Sequence, residues 1–327
     1  MTVIDIHTHM LSDAWLKLLE EHGGPRYSVK HGESGPGVIL EEGTPFMPMT
    51  PAMFDYDLRI RDMDKAGVDV AVLSLTGPNV YWGGEAVSAR AAALMNDEMR
   101  RAQTAHPGRI CYMASLPWQY PEQAIAELER ACANGAVGVM VIANIDGRHL
   151  TDPHFDPVWA AIDERELPVF VHPISPPGYR EMDLGRLNLR ATIAFCYDTT
   201  LAITRMVMEG FFDRYTKLKI IAAHGGGTIP YLHGRIEKFF QLTAPSREKI
   251  SISPRKYFEQ IYYDAVVYHM AALHACLDLA GPDHVLYGSD YPHQTGDMVQ
   301  CLAQVNDLPW DQRKRIAGAN AQRLFGL

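Results

Sequence analysis

The sequence predicts an α/β protein folded as a (β/α)8 TIM barrel, and three observations carry that expectation. Eight short β-rich runs follow one another along the chain, each trailed by a helix-length stretch. Most of these runs are apolar on both alternations, the pattern of parallel strands covered on both faces. The chain has 327 residues, 47% apolar and 21% charged, enough to bury the core of one such barrel. No fixed-period repeat or low-complexity linker divides residues 1–327, so one domain is expected. A doubly wound sheet of fewer strands is the fallback.

The first run is Val3–Ile6, and His7-Thr-His9 follows it directly. A connection from Met10 to Tyr56 comes next, with Gly23-Gly-Pro25, Gly35-Pro-Gly37, further prolines and one helical piece near Ala14–Glu21. In a compact domain so long a connection usually serves as a lid or a pocket wall. The second, third and fourth runs are Val68–Ser74, Ile110–Leu116 and Val137–Ala143. Between the last two, Pro121 opens an amphipathic helix that Asn134-Gly135 stops. Asp156 to Glu166 forms the helix before the fifth run, Val169–Val171, and Pro173 to Asn188 is a second insertion. The last three runs are Leu218–Ala223, Ile261–Val267 and Val285–Tyr287. Long insertion loops therefore follow strands one and five, on the C-terminal face where barrel enzymes keep their chemistry.

Composition narrows the partners. A net charge of -9 without a basic block argues against nucleic acid. No run of eighteen apolar residues is present, so no membrane span is expected. The N-terminus lacks a basic region and a small-residue cleavage site, which makes the cytoplasm the expected compartment. Cys111, Cys132, Cys196, Cys276 and Cys301 are widely spaced and have no CxxC pairing, so they read as reduced thiols.

Polar residues gather at the strand ends. Strand one leads into His7 and His9, whose i, i+2 spacing on extended chain points both side chains to one face. Strand five ends in His172, strand six in His224-Gly-Gly-Gly227, and strand eight in Gly288-Ser-Asp290. A single histidine after a strand is usually structural, and a Ser-Asp pair is usually a helix cap. Four such ends in register on a closed barrel converge at its mouth, and three imidazoles with a carboxylate suit a divalent ion.

With these motifs the sequence resembles the amidohydrolase superfamily, in the branch that includes 2-amino-3-carboxymuconate-6-semialdehyde decarboxylase. The matching stretches are Asp5–His9, Arg59–Asp69, Met95–Asp97, Val171–Pro173, His224–Gly227, Gly288–Pro292 and Gly318–Ala321, in order along nearly the whole chain. The resemblance implies one metal-dependent barrel domain holding a single divalent ion, zinc with manganese as a substitute. Its ligands map to His7, His9, His172 and Asp290, with a water completing the shell. His224 matches the histidine that orients or deprotonates that water, and Asp290 shares the proton traffic. Strand four ends at Asn144 with no lysine nearby, which argues against a second, carboxylysine-bridged metal.

Two chemistries use this set. A hydrolase of a lactone, amide or cyclic ester, or a hydratase, activates water; a nonoxidative decarboxylase protonates the carbon that carbon dioxide leaves. The resemblance favours the decarboxylase, a carboxy-lyase acting on an aromatic or unsaturated carboxylic acid. A noncatalytic barrel with a structural metal is the weakest option, because such sites are normally closed by protein ligands. Met47 stands where the muconate semialdehyde enzyme has a carboxylate-binding arginine, which disfavours that substrate. Arg235 keeps the position of an arginine that reaches the neighbouring subunit's site, so a homodimer is expected. Arg180, Arg186 and Arg190 are candidate replacements for the missing guanidinium, though a loop arginine is ordinarily solvated. Trp82, Tyr81 and the Phe46–Phe54 segment offer an apolar wall, and His293 lies close to Asp290 as a further substrate contact.

Overall fold

The computed structural model describes residues 1–33, 35–250 and 252–327. Its strands are, in chain order, β1 (Ile4–Met10), β2 (Tyr27–Lys30), β3 (Val38–Glu41), β4 (Thr44–Pro48), β5 (Val70–Leu75), β6 (Ile110–Ser115), β7 (Gly138–Ile142), β8 (Asn144–Ile145), β9 (Arg148–His149), β10 (Pro168–His172), β11 (Lys219–Ala222), β12 (Tyr262–Asp264) and β13 (Val285–Leu286). Eight of them form one sheet in the order β1-β5-β6-β7-β10-β11-β12-β13. Every pairing in it is parallel. Closure comes where the last strand returns to the first. Ile6 N–H donates to Tyr287 O at 3.1 Å, Asp290 N–H donates to His7 O at 2.8 Å, and Thr8 bridges Tyr291. The eight predicted runs are thus the eight staves of a near-closed barrel.

Apolar character on both faces explains the staves. β7 and β10 are buried along their whole length, with inner residues filling the barrel and outer ones meeting helices. Trp118 and Trp159 pack at 4.7 Å between ring centroids under those helices, and each fully buried large apolar side chain contributes about 1.5–3 kcal/mol. The helix opened by Pro121 runs Pro121–Ala133, and the one before β10 runs Asp156–Glu164. Both agree with the proline and Asn-Gly punctuation of the sequence.

The first connection departs from the expected loop. A helix, Asp13–His22, capped by Ser12, leads into β2, β3 and β4, which form a three-stranded antiparallel sheet; residue 34 of this connection lies outside the described residues. The strands escaped notice because they are short, half exposed and carry prolines and charges, so neither an apolar run nor a clean alternation marks them. The sheet is tied to the second insertion. Tyr179 Oη donates to Glu41 Oε2 at 2.9 Å, and Arg180 pairs with Glu42 at 2.5 Å.

Candidate metal centre and active site

β1 runs on through Met10, so His7 and His9 lie within a strand rather than after one. A register shift between Asp5 and Thr8 interrupts its pairing with β5. Arg59 clamps the end of this strand: its guanidinium donates to Thr8 Oγ1 and to His9 O, and sits 4.7 Å from the Tyr291 ring centroid. Asp5 fixes the other side, accepting from Ser289 Oγ at 2.5 Å and from His7 N–H at 3.2 Å. Burial pushes the Asp5 carboxyl up to about 7. Only glycine fits at 288, where a Cβ would stand 2.7 Å from the His7 Cβ.

At the mouth, the His7, His9 and His172 rings lie 5.0, 5.2 and 4.8 Å apart pairwise. Each has its Nδ1 occupied. His7 Nδ1 donates to Asp264 Oδ2 at 2.6 Å and His172 Nδ1 to Pro173 O at 2.9 Å, while His9 Nδ1 lies 3.0 Å from Ser74 Oγ, whose hydroxyl donates to Thr8 O at 3.3 Å. These partners fix the tautomer and leave Nε2 free on all three rings. His7 Nε2 and His9 Nε2 then stand 3.3 and 3.4 Å from Asp290 Oδ1. All three atoms are buried without a hydrogen-bond partner among the described residues. Ligand atoms held about 2.0–2.1 Å from one tetrahedral zinc lie about 3.3 Å apart, so the orphaned donors fit a shared divalent cation.

His224 faces the other carboxylate oxygen, with its Nε2 3.8 Å from Asp290 Oδ2. The ligand atoms of His7, His172, His224 and Asp290 all lie within 4.8 Å of one another, and those of His9, Asp290 and His293 form a second such group. His224 and Asp290 both hold left-handed backbone, with φ of 54° and 59°; strain of this kind in non-glycine residues collects at functional sites.

The electrostatics favour a cation. Burial lowers His9 to about 3 and His172 well below its ordinary value, so both rings are neutral. His7 is opposed by burial yet raised to about 10 by Asp264 and Asp290, a negative field that holds a proton on this ring and that a bound cation would neutralise in the proton's place. Asp290 is held well below the usual carboxylate range, against burial, by His224, His7 and His9.

The remaining candidates fall at varied distances from this centre. His293 sits beside it, with its ring 5.1 Å from His9 and its Nε2 2.8 Å from Thr76 Oγ1. Met47 is buried and its sulfur accepts from the same hydroxyl at 3.4 Å. Arg190 is buried, stacked over Phe46 and Tyr179, with Nη1 3.6 Å from Glu41. Its Nε and Nη1 lack hydrogen-bond partners among the described residues. Arg180 and Arg186 are taken up by Glu42 and Asp183. Trp82 is packed against Trp15, and its indole donates to Asn79 O at 2.9 Å. Arg235 is exposed on the helix Ile229–Leu242, over the Phe239 ring, with no acidic partner among the described residues. Sequence reasoning missed Asp264, Ser74 and Asp198; an acid inside the apolar run Ile261–Val267 was the available signal for the first.

The amidohydrolase family model matches residues 4–327. The chain is similar to the 2-amino-3-carboxymuconate-6-semialdehyde decarboxylase of Dictyostelium discoideum, at 31% identity over 99% of this chain and 91% of that one. Among solved structures it resembles the 5-carboxyvanillate decarboxylase of Sphingomonas paucimobilis, with a TM-score of 0.87, 25% identity and coverage of 100% and 99%. A dihydroxybenzoic acid decarboxylase from a Polaromonas species, solved with bound manganese, shares the fold at a TM-score of 0.81 and 24% identity over 100% and 97% of the two chains.

Proposed function

The chain belongs to the amidohydrolase family, and from that premise we propose that it is a metal-dependent nonoxidative decarboxylase of an aromatic or unsaturated carboxylic acid. The observation that carries the reading is similarity along the whole chain to a decarboxylase, joined to the orphaned donor set at the barrel mouth. On this reading His7, His9, His172 and Asp290 hold one divalent ion per chain. Three imidazoles and a carboxylate suit zinc, and manganese is the substitute.

When bound, the ion supplies a positive charge that fixes the acid and draws electron density from it. The protein's own groups do the rest. His224 Nε2 delivers a proton to the ring or alkene carbon as the bond from that carbon to the carboxylate breaks, so the electron pair of that bond ends in the new C–H bond and carbon dioxide leaves. Asp290 Oδ2, 3.8 Å from that nitrogen, stabilises the imidazolium before transfer and favours its reprotonation afterwards. Met47 and His293 line the substrate, Trp82 backs that wall, and Arg190 offers an in-chain guanidinium. Arg235, exposed and with no acidic partner among the described residues, reaches the pocket of a second copy in a homodimer.

A panel of aromatic and unsaturated acids with matched esters and lactones tests this reading. Carbon dioxide release from at least one acid, dependent on added zinc or manganese, is the expected result. Proton release from an ester or lactone with no carbon dioxide from any acid would replace it with a hydrolase.

A further inference from the structure

Asp264 closes β12 with no exposed surface, and its carboxylate receives four donors. Oδ2 accepts from His7 Nδ1 at 2.6 Å and from His224 N–H at 3.0 Å. Oδ1 accepts from Gly225 N–H at 2.9 Å and from Val266 N–H at 3.1 Å. One oxygen thus holds both a proposed metal ligand and the backbone of the proposed proton donor. Only a carboxylate presents acceptors in all four directions, since a carboxamide would turn its NH2 toward two of these donors.

The two halves of this grip do different things. Toward His7, the carboxylate fixes the Nδ1–H tautomer and the ring plane, which aims Nε2 at Asp290 Oδ1, 3.3 Å away. Toward β11 it captures consecutive N–H groups of a turn in which His224 and Gly225 both adopt left-handed backbone, with φ of 54° and 61°. Left-handed backbone is unfavourable for a non-glycine residue, and paired inward N–H groups of this kind form an anion cradle. The cradle sets where the His224 ring emerges, 4.9 Å from the His7 ring. Gly227 completes the turn; a Cβ there would lie 2.2 Å from Cys196 O, so the turn has no room to shift on that side.

We propose that Asp264 is a positioning residue that acts on both halves of the site, setting metal affinity through His7 and proton delivery through the His224 turn. The proposal rests on His7 as a ligand and His224 as the proton donor. It differs from a plain brace between β11 and β12, which would stabilise the barrel without touching either property.

Asp264→Asn tests it on the full-length protein. Titration with zinc alone, which needs no substrate and is independent of which reaction the enzyme runs, should show affinity weakened by about 10–100-fold, the usual effect of losing a ligand's hydrogen-bond partner. At saturating metal, kcat should stay at least about tenfold down with KM little changed, because the His224 turn is still displaced. Unaltered zinc affinity in a folded variant overturns the proposal, and full recovery of kcat at saturating zinc overturns its second half. If the variant does not fold, histidine-selective NMR of the wild-type zinc form decides: a proton on His7 Nδ1 supports the assignment and its absence overturns it.

Discussion

Asp290 divides its two oxygens between two tasks, and that division separates the roles of the histidines around it. Oδ1 faces the orphaned nitrogens of His7 and His9, whereas Oδ2 faces His224 and accepts from Thr295 Oγ1 at 3.3 Å. His172→Ala removes a proposed ligand whose Nδ1 is already spent on Pro173 O, so metal and activity should be lost together, as elemental analysis beside a turnover assay would show. His224→Ala should keep most of its metal and lose at least about a hundredfold in turnover, the scale for removing a positioned acid or base. A metal-free His224→Ala protein would move that histidine into the ligand set. These residues were legible in the sequence because each closes or follows an apolar run, where a polar side chain stands out. Asp264 was hidden by the same logic, since its run continues into Ala265-Val266-Val267 and conceals where the strand stops. Arg190 was legible as a guanidinium near the site, but its stacking between Phe46 and Tyr179 depends on elements far apart in sequence.

Between elements, the second insertion is held from two sides, by Glu41 of β3 and by Asp198 of the helix Phe195–Met208. Asp198 is buried and accepts from Asn144 Nδ2 at 3.0 Å and from Ile174 N–H at 3.0 Å, which fastens the start of the insertion just beyond His172. Burial raises its carboxyl from 3.8 to about 7, with Ile174 and Asn144 only partly opposing. The unfolded chain gives up this proton near pH 4 while the folded protein keeps it to about pH 7, so the carboxyl's contribution to stability falls as pH rises between those values and is level outside them. Asp198→Asn has no such slope. Its stability relative to the wild type should therefore improve between pH 4 and 7 by a few kcal/mol, on the order of 4 at most, and remain constant above. Denaturant midpoints at pH 4.5, 6 and 8 check this, and a constant difference across them would show that Asp198 ionises normally. None of this bracing was visible in the sequence, because a helix residue and a loop amide have no local pattern in common. The barrel strands were visible because burial on both faces demands a continuous apolar run, a demand the half-exposed β2, β3 and β4 do not meet.

At the scale of the molecule, one face carries more apolar surface than a barrel needs for itself. Tyr231, Phe239 and Leu242 of the helix Ile229–Leu242 are 86%, 49% and 64% exposed, and Ile193, Tyr197 and Leu201, on a separate helical segment, are exposed as well. Arg235 stands among the first three with no acidic partner among the described residues. A homodimer through this face would cover the apolar groups and carry each Arg235 toward the partner's pocket, where a substrate carboxylate would pair with it. Arg235→Ala should then weaken substrate binding by about 1.5–3 kcal/mol, the range for a hydrogen bond to a charged group, with metal content unchanged. Mixing distinguishes a shared site from a local one. A heterodimer of Arg235→Ala and His224→Ala chains has one pocket in which the intact His224 of one chain meets the intact Arg235 of the other, while its second pocket lacks both. Random reassortment should therefore return about a quarter of all pockets to full function at limiting substrate, from two parents that are each impaired. If heterodimers form, as native mass spectrometry would show, and the mixture stays no more active than its parents, then Arg235 serves its own chain and the apolar face is a contact without a role in the reaction.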